Sequence, residues 1–294
     1  MKIINISKNK FNNLEKLELS SNTLGTEGEI YILKYPNGKD KILKKLYLSE
    51  GVTFANKLYT LEMLDTYREY IPEYFILPEN LVSIGRKIEA FTCPKVNGEN
   101  LANILLNNNI SYDEQLKLLK QVGNIIEQMS YIRKNTSLKD FYLNDLHEAN
   151  FMVSNKTGQV HPIDLDGCKI ANNKVFLSKY LSPFALLNNV PGKYNINTDE
   201  SNIGHVIPNE DSEIYCYCMC ILKYLLGENI NNYSLDDYYD YLYYLETIGI
   251  NKELISTFER LVTNSKNINP NNYLETLTEE QIIKAKKKIY IEKR

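Results

Sequence analysis

Two short stretches, NDLHEANFMV (144–153) and PIDLDGC (162–168), decide how the rest of the chain is interpreted. The first places Asp145 five residues before Asn150, and the second places Asp164 fourteen residues after that asparagine. Two carboxylates and an amide at such spacing are also found in an ordinary polar turn followed by an edge strand. Their meaning therefore depends on what precedes them in the chain.

Two further segments come before them in the same reading direction, LGTEGEIY (24–31) and ILKKL (42–46). Each is common on its own, but the four segments in this order and spacing resemble the protein-kinase-like superfamily. The resemblance covers nearly the whole chain, because EIYCYCMCILKYLLG (213–227) is similar to the central helix of a kinase's large lobe. Glu213 stands there where an aspartate is usual.

The first two segments correspond to the nucleotide-binding part of the superfamily. The resemblance implies that the backbone at Gly25, Thr26 and Gly28 approaches the phosphates of ATP, which a side chain would obstruct. It also implies that Lys44 holds the α and β phosphates and pairs with Glu62 of a following helix.

The neighbouring lysine and the first glycine position need separate comment. Strand side chains alternate between the two faces of a sheet, so we expect Lys45 to point away from the nucleotide. Thr23 replaces the first glycine of the family's G-x-G-x-x-G motif, and the match is therefore incomplete.

The later segments correspond to the catalytic centre. By resemblance, Asp145 orients the acceptor hydroxyl, while Asn150 and Asp164 bind Mg²⁺. His147 replaces a lysine that is usual in Ser/Thr kinases, and it is expected either to contact the γ-phosphate or to satisfy nearby carbonyl groups. The sequence leaves open whether Asp166 also reaches the metal.

The segment PKVNGEN (94–100) is similar to the hinge between the two lobes of a kinase. The resemblance implies that backbone groups near Lys95 and Val96 recognise the adenine edge of ATP.

Periodicity gives the fold class independently of these motifs. Strands are predicted at 29–35 and 41–48 around Pro36-Asn37-Gly38, and two more are predicted within 79–96. A helix is predicted at 54–65. Beyond Ser111, where a capping box begins a helix, helical patterns dominate, and further helix starts are predicted at Ser234 and Thr278. We therefore expect an α+β protein with a bilobal kinase-like fold, in which residues 1–95 form a β-rich nucleotide-binding lobe and residues 96–294 form a helical catalytic and substrate lobe.

Composition excludes several function classes. The 294 residues contain 34 Lys and Arg against 37 Asp and Glu, so the formal net charge is −3 and a nucleic-acid interface based on bulk basicity is not expected. The longest apolar run, 214–222, is shorter than the roughly 20 residues of a membrane span. The first residues do not match a signal peptide.

The five cysteines lack any C-x-x-C pair. We expect reduced thiols, which favours a cytoplasmic location.

The sequence as a whole predicts an ATP- and Mg²⁺-dependent phosphotransferase. A Ser or Thr of a protein is the first choice of acceptor, because the ILKKL strand and the 213–227 helix resemble protein kinases. Two alternatives stay open. The D-L-H-x-x-N pattern at 145–150 is similar to aminoglycoside and choline phosphotransferases, and the altered H-R-D and D-F-G motifs are compatible with a pseudokinase that acts as a binding scaffold.

Overall fold

The computed structural model of the protein describes residues 1–17, 28–36, 38–176, 180–181, 190–195, 205–228, 230 and 233–292. The strands among them are β1 (Lys2–Ile6), β2 (Glu15–Lys16), β3 (Gly28–Leu33), β4 (Lys41–Leu46), β5 (Asn80–Ile84), β6 (Lys87–Pro94), β7 (Gly98–Asn100), β8 (Phe151–Ser154), β9 (Val160–Pro162), β10 (Val175–Phe176) and β11 (His205–Val206). The α-helices are α1 (Lys8–Asn12), α2 (Gly51–Thr66), α3 (Leu101–Leu106), α4 (Tyr112–Asn135), α5 (Glu210–Leu226), α6 (Leu235–Thr247), α7 (Lys252–Glu259) and α8 (Glu279–Glu292).

Six of the described strands form one sheet in the order β1-β5-β6-β4-β3-β2. Strand β1 pairs in parallel with β5, and the other neighbours in the sheet are antiparallel. The predicted hairpin is confirmed, since β3 and β4 flank the turn at which Gly38 has a positive φ of 70°. The two strands predicted within 79–96 are confirmed as β5 and β6.

The two faces of this sheet are covered differently because side chains alternate along each strand. On one face Leu43 packs in a cluster with Phe11 of α1. On the other face Leu46 and Phe91 pack against Leu61 of α2. The same helix buries Leu64 in the large core of the helical part, so α2 contacts both parts of the protein.

A three-stranded sheet, β7-β8-β9, and most of the helices follow Pro94. Helix α5 is the centre of this part, since nearly all of its side chains from Ser212 to Leu226 are buried. It begins with a capping box between Asn209 and Ser212 and ends before Gly227, whose left-handed φ of 79° ends the helix. The separate positions of the sheet and the helices confirm the prediction of an α+β fold.

The predicted helix starts are also confirmed. Capping boxes are present at Ser111 with Glu114 and at Ser234 with Asp237. Thr278 and Gln281 exchange the same pair of hydrogen bonds before α8. The helix predicted at 54–65 is α2, which begins three residues earlier and ends one residue later.

Strand β1 was not among the predicted strands, because its pairing with β5 depends on a contact between distant parts of the sequence. All five cysteines are free, in agreement with the predicted reduced thiols. Within the described ranges no helix is both long and apolar enough to cross a membrane.

Candidate active site

Lys44 lies in the middle of β4 and is buried. Its Nζ atom forms an ion pair with the Asp164 carboxylate and lies 3.0 Å from Oδ1 of Asp166. Lys45 points to the opposite face, where its Nζ lies 5.3 Å from the centre of the Phe11 ring. The alternation expected for the two lysines is therefore present, and Lys44 is the one that reaches the motif 162–168.

The backbone around Asp164 explains how two neighbouring carboxylates reach one lysine. Asp164 adopts a left-handed conformation with φ 61°, and residues Leu165–Gly167 form a 3₁₀ turn. A strand would also place both side chains on one face, but it would not by itself direct them to one atom. This turn brings Asp164 and Asp166 to the same Nζ atom. Asp166 has no exposed side-chain area, whereas 37% of the Asp164 side chain is exposed.

The two carboxyl groups differ in acidity for this reason. Burial raises the pKa of Asp164 above its usual value, Lys44 opposes the shift, and the nearby charge of Asp166 adds to it. Water reaches part of Asp164 and weakens the effect. Burial acts in the same direction on Asp166, but the attraction of Lys44 and Lys57 outweighs it and holds the pKa of Asp166 well below its usual range. The pKa of Asp166 is therefore the lower of the two.

The segment that carries Asp145 is fixed from behind by a buried ion pair. Glu213, at the start of α5, accepts a hydrogen bond of 2.9 Å from the backbone N–H of Leu143. Its other carboxylate oxygen lies 2.8 Å from Nη1 of Arg133 on α4. Asn144, which follows Leu143, has a left-handed φ of 58°. This conformation turns the chain so that Asp145 faces outward with 41% of its side chain exposed.

Asp145 and Asn150 are joined directly. The side-chain amide nitrogen of Asn150 donates to the main-chain oxygen of Asp145 at 2.8 Å and lies 3.4 Å from its Oδ2 atom. These contacts occupy the amide nitrogen and leave the amide oxygen as the group that can face a cation. Asp145, Asn150 and Asp164 line one pocket together with Leu143, Leu146, Phe151, Pro162, Ile163 and Leu165.

His147 lies beside this pocket. Its Nδ1 atom accepts a hydrogen bond of 3.3 Å from the backbone N–H of Ala149. Its Nε2 atom lies 3.4 Å from Oδ2 of Asp145. The ring therefore contacts the predicted catalytic carboxylate itself, an arrangement that neither of the two sequence-based expectations for His147 included.

The expected pair between Lys44 and Glu62 is not formed. Glu62 lies on the exposed side of α2, and its carboxylate takes part in no ion pair among the described residues. The residue of α2 that faces the site is Lys57, whose Nζ lies 3.0 Å from Oδ2 of Asp166. Five positions along a helix correspond to about 140° around its axis, so a register that directs Lys57 inward directs Glu62 outward.

Of the predicted phosphate-binding residues, only Gly28 lies within the described part of the chain. Gly25 and Thr26, like Thr23, lie outside the described residues. Gly28 begins β3, and a Cβ atom there would stand 2.4 Å from the carbonyl oxygen of Lys45. Close approach of two strands is thus sufficient to explain this glycine.

The predicted hinge residues connect the two sheets. Lys95 and Val96 follow the last residue of β6, Pro94, and precede the first residue of β7, Gly98. Both are half-buried.

The donor set fits a magnesium ion that is bound together with a phosphate ligand. Within the described ranges no group of three or more His, Cys, Asp or Glu side chains is arranged to hold a metal ion by itself. Mg²⁺ commonly binds through one or two carboxylates plus substrate phosphates and water. The partly exposed Asp164 carboxylate and the Asn150 amide oxygen, which line the same pocket, meet that requirement.

Two residues of this site were missed from the sequence. Lys57 is one of many lysines, and the only available signal was its position on a helix one turn before the buried Thr60 and Leu61. Arg133 was hidden in the last turn of α4, where a basic residue is also expected as a favourable partner of the helix dipole.

No protein-family model matches this chain, and a search of curated proteins gives no match either.

Proposed function

We propose that the protein is a phosphotransferase of the protein-kinase-like superfamily, with a bilobal fold, which transfers the γ-phosphoryl group of ATP to a hydroxyl group with the help of Mg²⁺. A serine or threonine of a protein is the acceptor that we favour. The proposal rests on the motifs in the sequence and on the way in which the chain brings them together.

One observation carries the proposal. Lys44 pairs with Asp164, 120 positions later in the sequence, and Asp164 shares a pocket with Asp145 and Asn150. A polar turn followed by an edge strand would not require a buried lysine from another sheet to reach this carboxylate. The convergence of a cation, two carboxylates and an amide is what transfer of a phosphoryl group needs, since positioning and charge stabilisation supply most of the catalysis.

In the proposed reaction, the oxygen of the acceptor hydroxyl forms a bond to the γ-phosphorus, and the bond from that phosphorus to the β–γ bridging oxygen breaks. ADP leaves with the electron pair of the broken bond. Asp145 holds the acceptor hydroxyl and takes its proton. Lys44 donates hydrogen bonds to the α and β phosphates, so its ammonium group balances their negative charge.

Asn150 and Asp164 are the residues that would hold Mg²⁺. When it is bound, the ion neutralises charge on the phosphate oxygens and so favours departure of ADP. Asp145 and Lys44 supply the other two functions in the proposal, which are deprotonation of the acceptor and binding of the α and β phosphates.

The choice of a protein as the acceptor is supported by the position of Glu213 on α5. Glu213 accepts the backbone N–H of Leu143, and Leu143 lies two residues before the predicted catalytic aspartate. A buried central helix thus holds the segment that carries Asp145. This contact agrees with the resemblance of residues 213–227 to the central helix of protein kinases.

The contact between His147 and Asp145 favours a second candidate. Through this contact the histidine of the D-L-H sequence lies next to the pocket. The same D-L-H-x-x-N pattern is similar to the motif of small-molecule phosphotransferases. A small hydroxylated molecule is therefore the alternative acceptor.

Incubation with γ-³²P-labelled ATP separates these functions. Purified protein is tested with Mg²⁺ or with EDTA, and with casein, histone, an aminoglycoside or choline as acceptor. We expect label in a protein acceptor, with Mg²⁺ only, and none with Asp145→Asn. Label only in a small molecule would favour the alternative. Nucleotide binding without any transfer would favour a pseudokinase, and no binding of ATP would refute the proposal.

Asp145→Asn serves as the matched control because it keeps the size of the side chain and the bond to Asn150. It should bind ATP as the wild type does, since the carboxylate faces the acceptor and not the phosphates.

A further inference from the structure

Asp166 is surrounded by cations. Its Oδ1 and Oδ2 atoms lie 3.0 Å and 3.1 Å from Nζ of Lys44. Oδ2 also lies 3.0 Å from Nζ of Lys57, and the same Nζ donates to the main-chain oxygen of Asp166 at 3.0 Å. The Asp166 side chain has no exposed area, and the side chains of Lys44 and Lys57 are 7% and 14% exposed.

These surroundings do not suit a magnesium ligand. Mg²⁺ requires near-octahedral geometry and usually keeps several water molecules. A carboxylate without exposed area, both of whose oxygens already accept hydrogen bonds from ammonium groups, has no position for such a hydrated ion. Asp164 has such a position, because 37% of its side chain is exposed and it lines the pocket together with Asn150.

Helix α2 is attached to the same loop by further polar contacts. The Asn56 side chain exchanges two hydrogen bonds with the main chain of Lys174, at 2.7 Å and 2.9 Å. One turn later, Thr60 accepts a hydrogen bond of 2.8 Å from the buried Asn173 side chain. Asn56, Lys57 and Thr60 therefore form one face of α2 that rests on residues 166–174.

We propose that Asp166 is a positioning residue and not a metal ligand, and that with Lys57 it takes the place of the missing pair between Lys44 and Glu62. Asp166 holds Lys44 in position for the phosphates, and Lys57 ties α2 to the loop that carries Asp164. The role of Lys44 toward phosphates rests on the proposed function, whereas the attachment of α2 does not.

Charge arithmetic supports this role. Two ammonium groups and two carboxylates meet at one place, so the cluster is neutral when all four are charged. Removal of Asp166 leaves the buried Lys44 and the half-buried Lys57 with one partly exposed carboxylate, and uncompensated charge is costly in the interior of a protein. Lys44 would then be drawn towards Asp164 alone, away from its former position between the two carboxylates.

The experiment compares Lys57→Met and Asp166→Asn with Asp164→Asn. Affinity for ATP is measured by calorimetry with Mg²⁺ and with EDTA, at a temperature where each variant is folded. We expect Lys57→Met and Asp166→Asn to weaken binding about tenfold in both conditions, so that the gain from Mg²⁺ is unchanged. Asp164→Asn should lose that gain.

Lys87→Met is the matched control, since Lys87 forms an exposed ion pair of 2.6 Å with Glu50, directly before the same helix. It should bind ATP as the wild type does. Lys57→Arg keeps the charge and should recover most of the affinity lost in Lys57→Met, which a purely structural defect at the helix surface would not predict.

Urea unfolding without nucleotide tests the attachment itself. If Lys57 and Asp166 act together, the double variant should unfold at about the same urea concentration as Asp166→Asn alone. Additive losses would overturn the attachment. If Asp166→Asn does not fold, Lys57→Met decides, because wild-type affinity in that variant would overturn the positioning role.

Three further outcomes are distinct from these. Loss of the Mg²⁺ gain in Asp166→Asn would make Asp166 a metal ligand and overturn the inference, as would a larger loss of affinity in Glu62→Gln than in Lys57→Met. Wild-type protein that binds no ATP would instead refute the proposed function, while the urea comparison would still decide whether α2 is attached through Asp166.

Discussion

The Nε2 atom of His147 lies 3.4 Å from Oδ2 of Asp145, while the Nδ1 atom of the same ring accepts the backbone N–H of Ala149. An imidazole nitrogen that accepts a hydrogen bond carries no proton, so the neutral ring must carry its proton on Nε2. The ring is thereby prepared to donate to the Asp145 carboxylate. Its role in the proposed function is to position that carboxylate.

The first prediction concerns this donor. His147→Leu removes it and should lower turnover about tenfold with little change in the KM for ATP, because Asp145 faces the acceptor in the proposed function. His147→Gln places an amide N–H near the same position and should recover part of the rate. Steady-state kinetics with ATP and acceptor varied separately provide the measurement. A rise in the KM for ATP without a fall in turnover would instead indicate a phosphate contact.

The second prediction uses the two neighbouring lysines of β4. ATP at about a hundredfold excess over its Kd stabilises a folded protein by about 2.7 kcal/mol, which corresponds to a rise in Tm of roughly 5 °C for a chain of this size. Lys44→Ala should lose most of the rise, while Lys45→Ala, on the face of Phe11, should keep it. Each variant is compared with and without Mg-ATP by thermal unfolding. Equal losses in both would contradict the assignment of Lys44.

The sequence was sufficient for those parts of the site that depend on local spacing. Asp145 and Asn150 are joined within one turn of chain, and alternation along β4 correctly separated Lys44 from Lys45. The order of the motifs predicted that these distant segments share a site, but the direct pair between Lys44 and Asp164 was not predicted, because the expected partner of Lys44 was Glu62.

The sequence was not sufficient where the register of an element depends on packing. Glu62 and Lys57 lie on the same helix, and only the docking of Leu61 and Leu64 determines which of the two faces the site. The burial of Asp166 depends on the left-handed conformation of Asp164 and on the 3₁₀ turn after it. The residue types at these positions do not predict this backbone conformation. Non-local packing decides both.

A second buried cluster lies behind the pocket. The Glu148 carboxylate accepts a hydrogen bond from the hydroxyl of the fully buried Tyr180 and forms an ion pair with Lys223 of α5. Burial raises the pKa of Glu148, but Lys223 and Tyr180 outweigh this effect and hold it below its usual value. Glu148 therefore links the segment that follows the motif 162–168 to the central helix.

The third prediction concerns the pH dependence of this link. Near pH 4.5 the unfolded chain binds a proton on Glu148 that the folded chain does not bind, so the stability contributed by Glu148 is present above that pH and is lost as the pH falls below it. Glu148→Gln should be less stable than the wild type by about 2 kcal/mol at pH 7, with the gap closing towards acid pH. Urea unfolding at several pH values measures this.

Glu259→Gln, on the exposed side of α7, is the control for that series and should follow the wild type. A gap between Glu148→Gln and the wild type that stays constant down to pH 3 would mean that Glu148 contributes by its shape and not by its charge.

The last prediction concerns regulation of the segment 165–212. In many protein kinases an arginine before the catalytic aspartate pairs with a phosphate on the corresponding segment and so orders it. The resemblance places Asn144 at this position, which is buried and carries no charge, and its side-chain nitrogen lies 3.4 Å from the main-chain oxygen of Gly167. Tyr180, Leu181 and Tyr194 of the segment are fully buried.

We therefore expect that phosphorylation of this segment is not needed for activity, because the packing of Tyr180, Leu181 and Tyr194 and the bond from Tyr180 to Glu148 already hold these described residues of the segment in place. Protein treated with phosphatase, and checked by mass spectrometry to carry no phosphate, should transfer phosphate at the same rate as untreated protein. Tyr180→Phe keeps the packing and removes the hydrogen bond, and it should lower stability by about 1 kcal/mol. A large fall in rate after phosphatase treatment, reversed when a residue of the segment is phosphorylated again, would contradict the prediction and would require another basic side chain in place of the arginine.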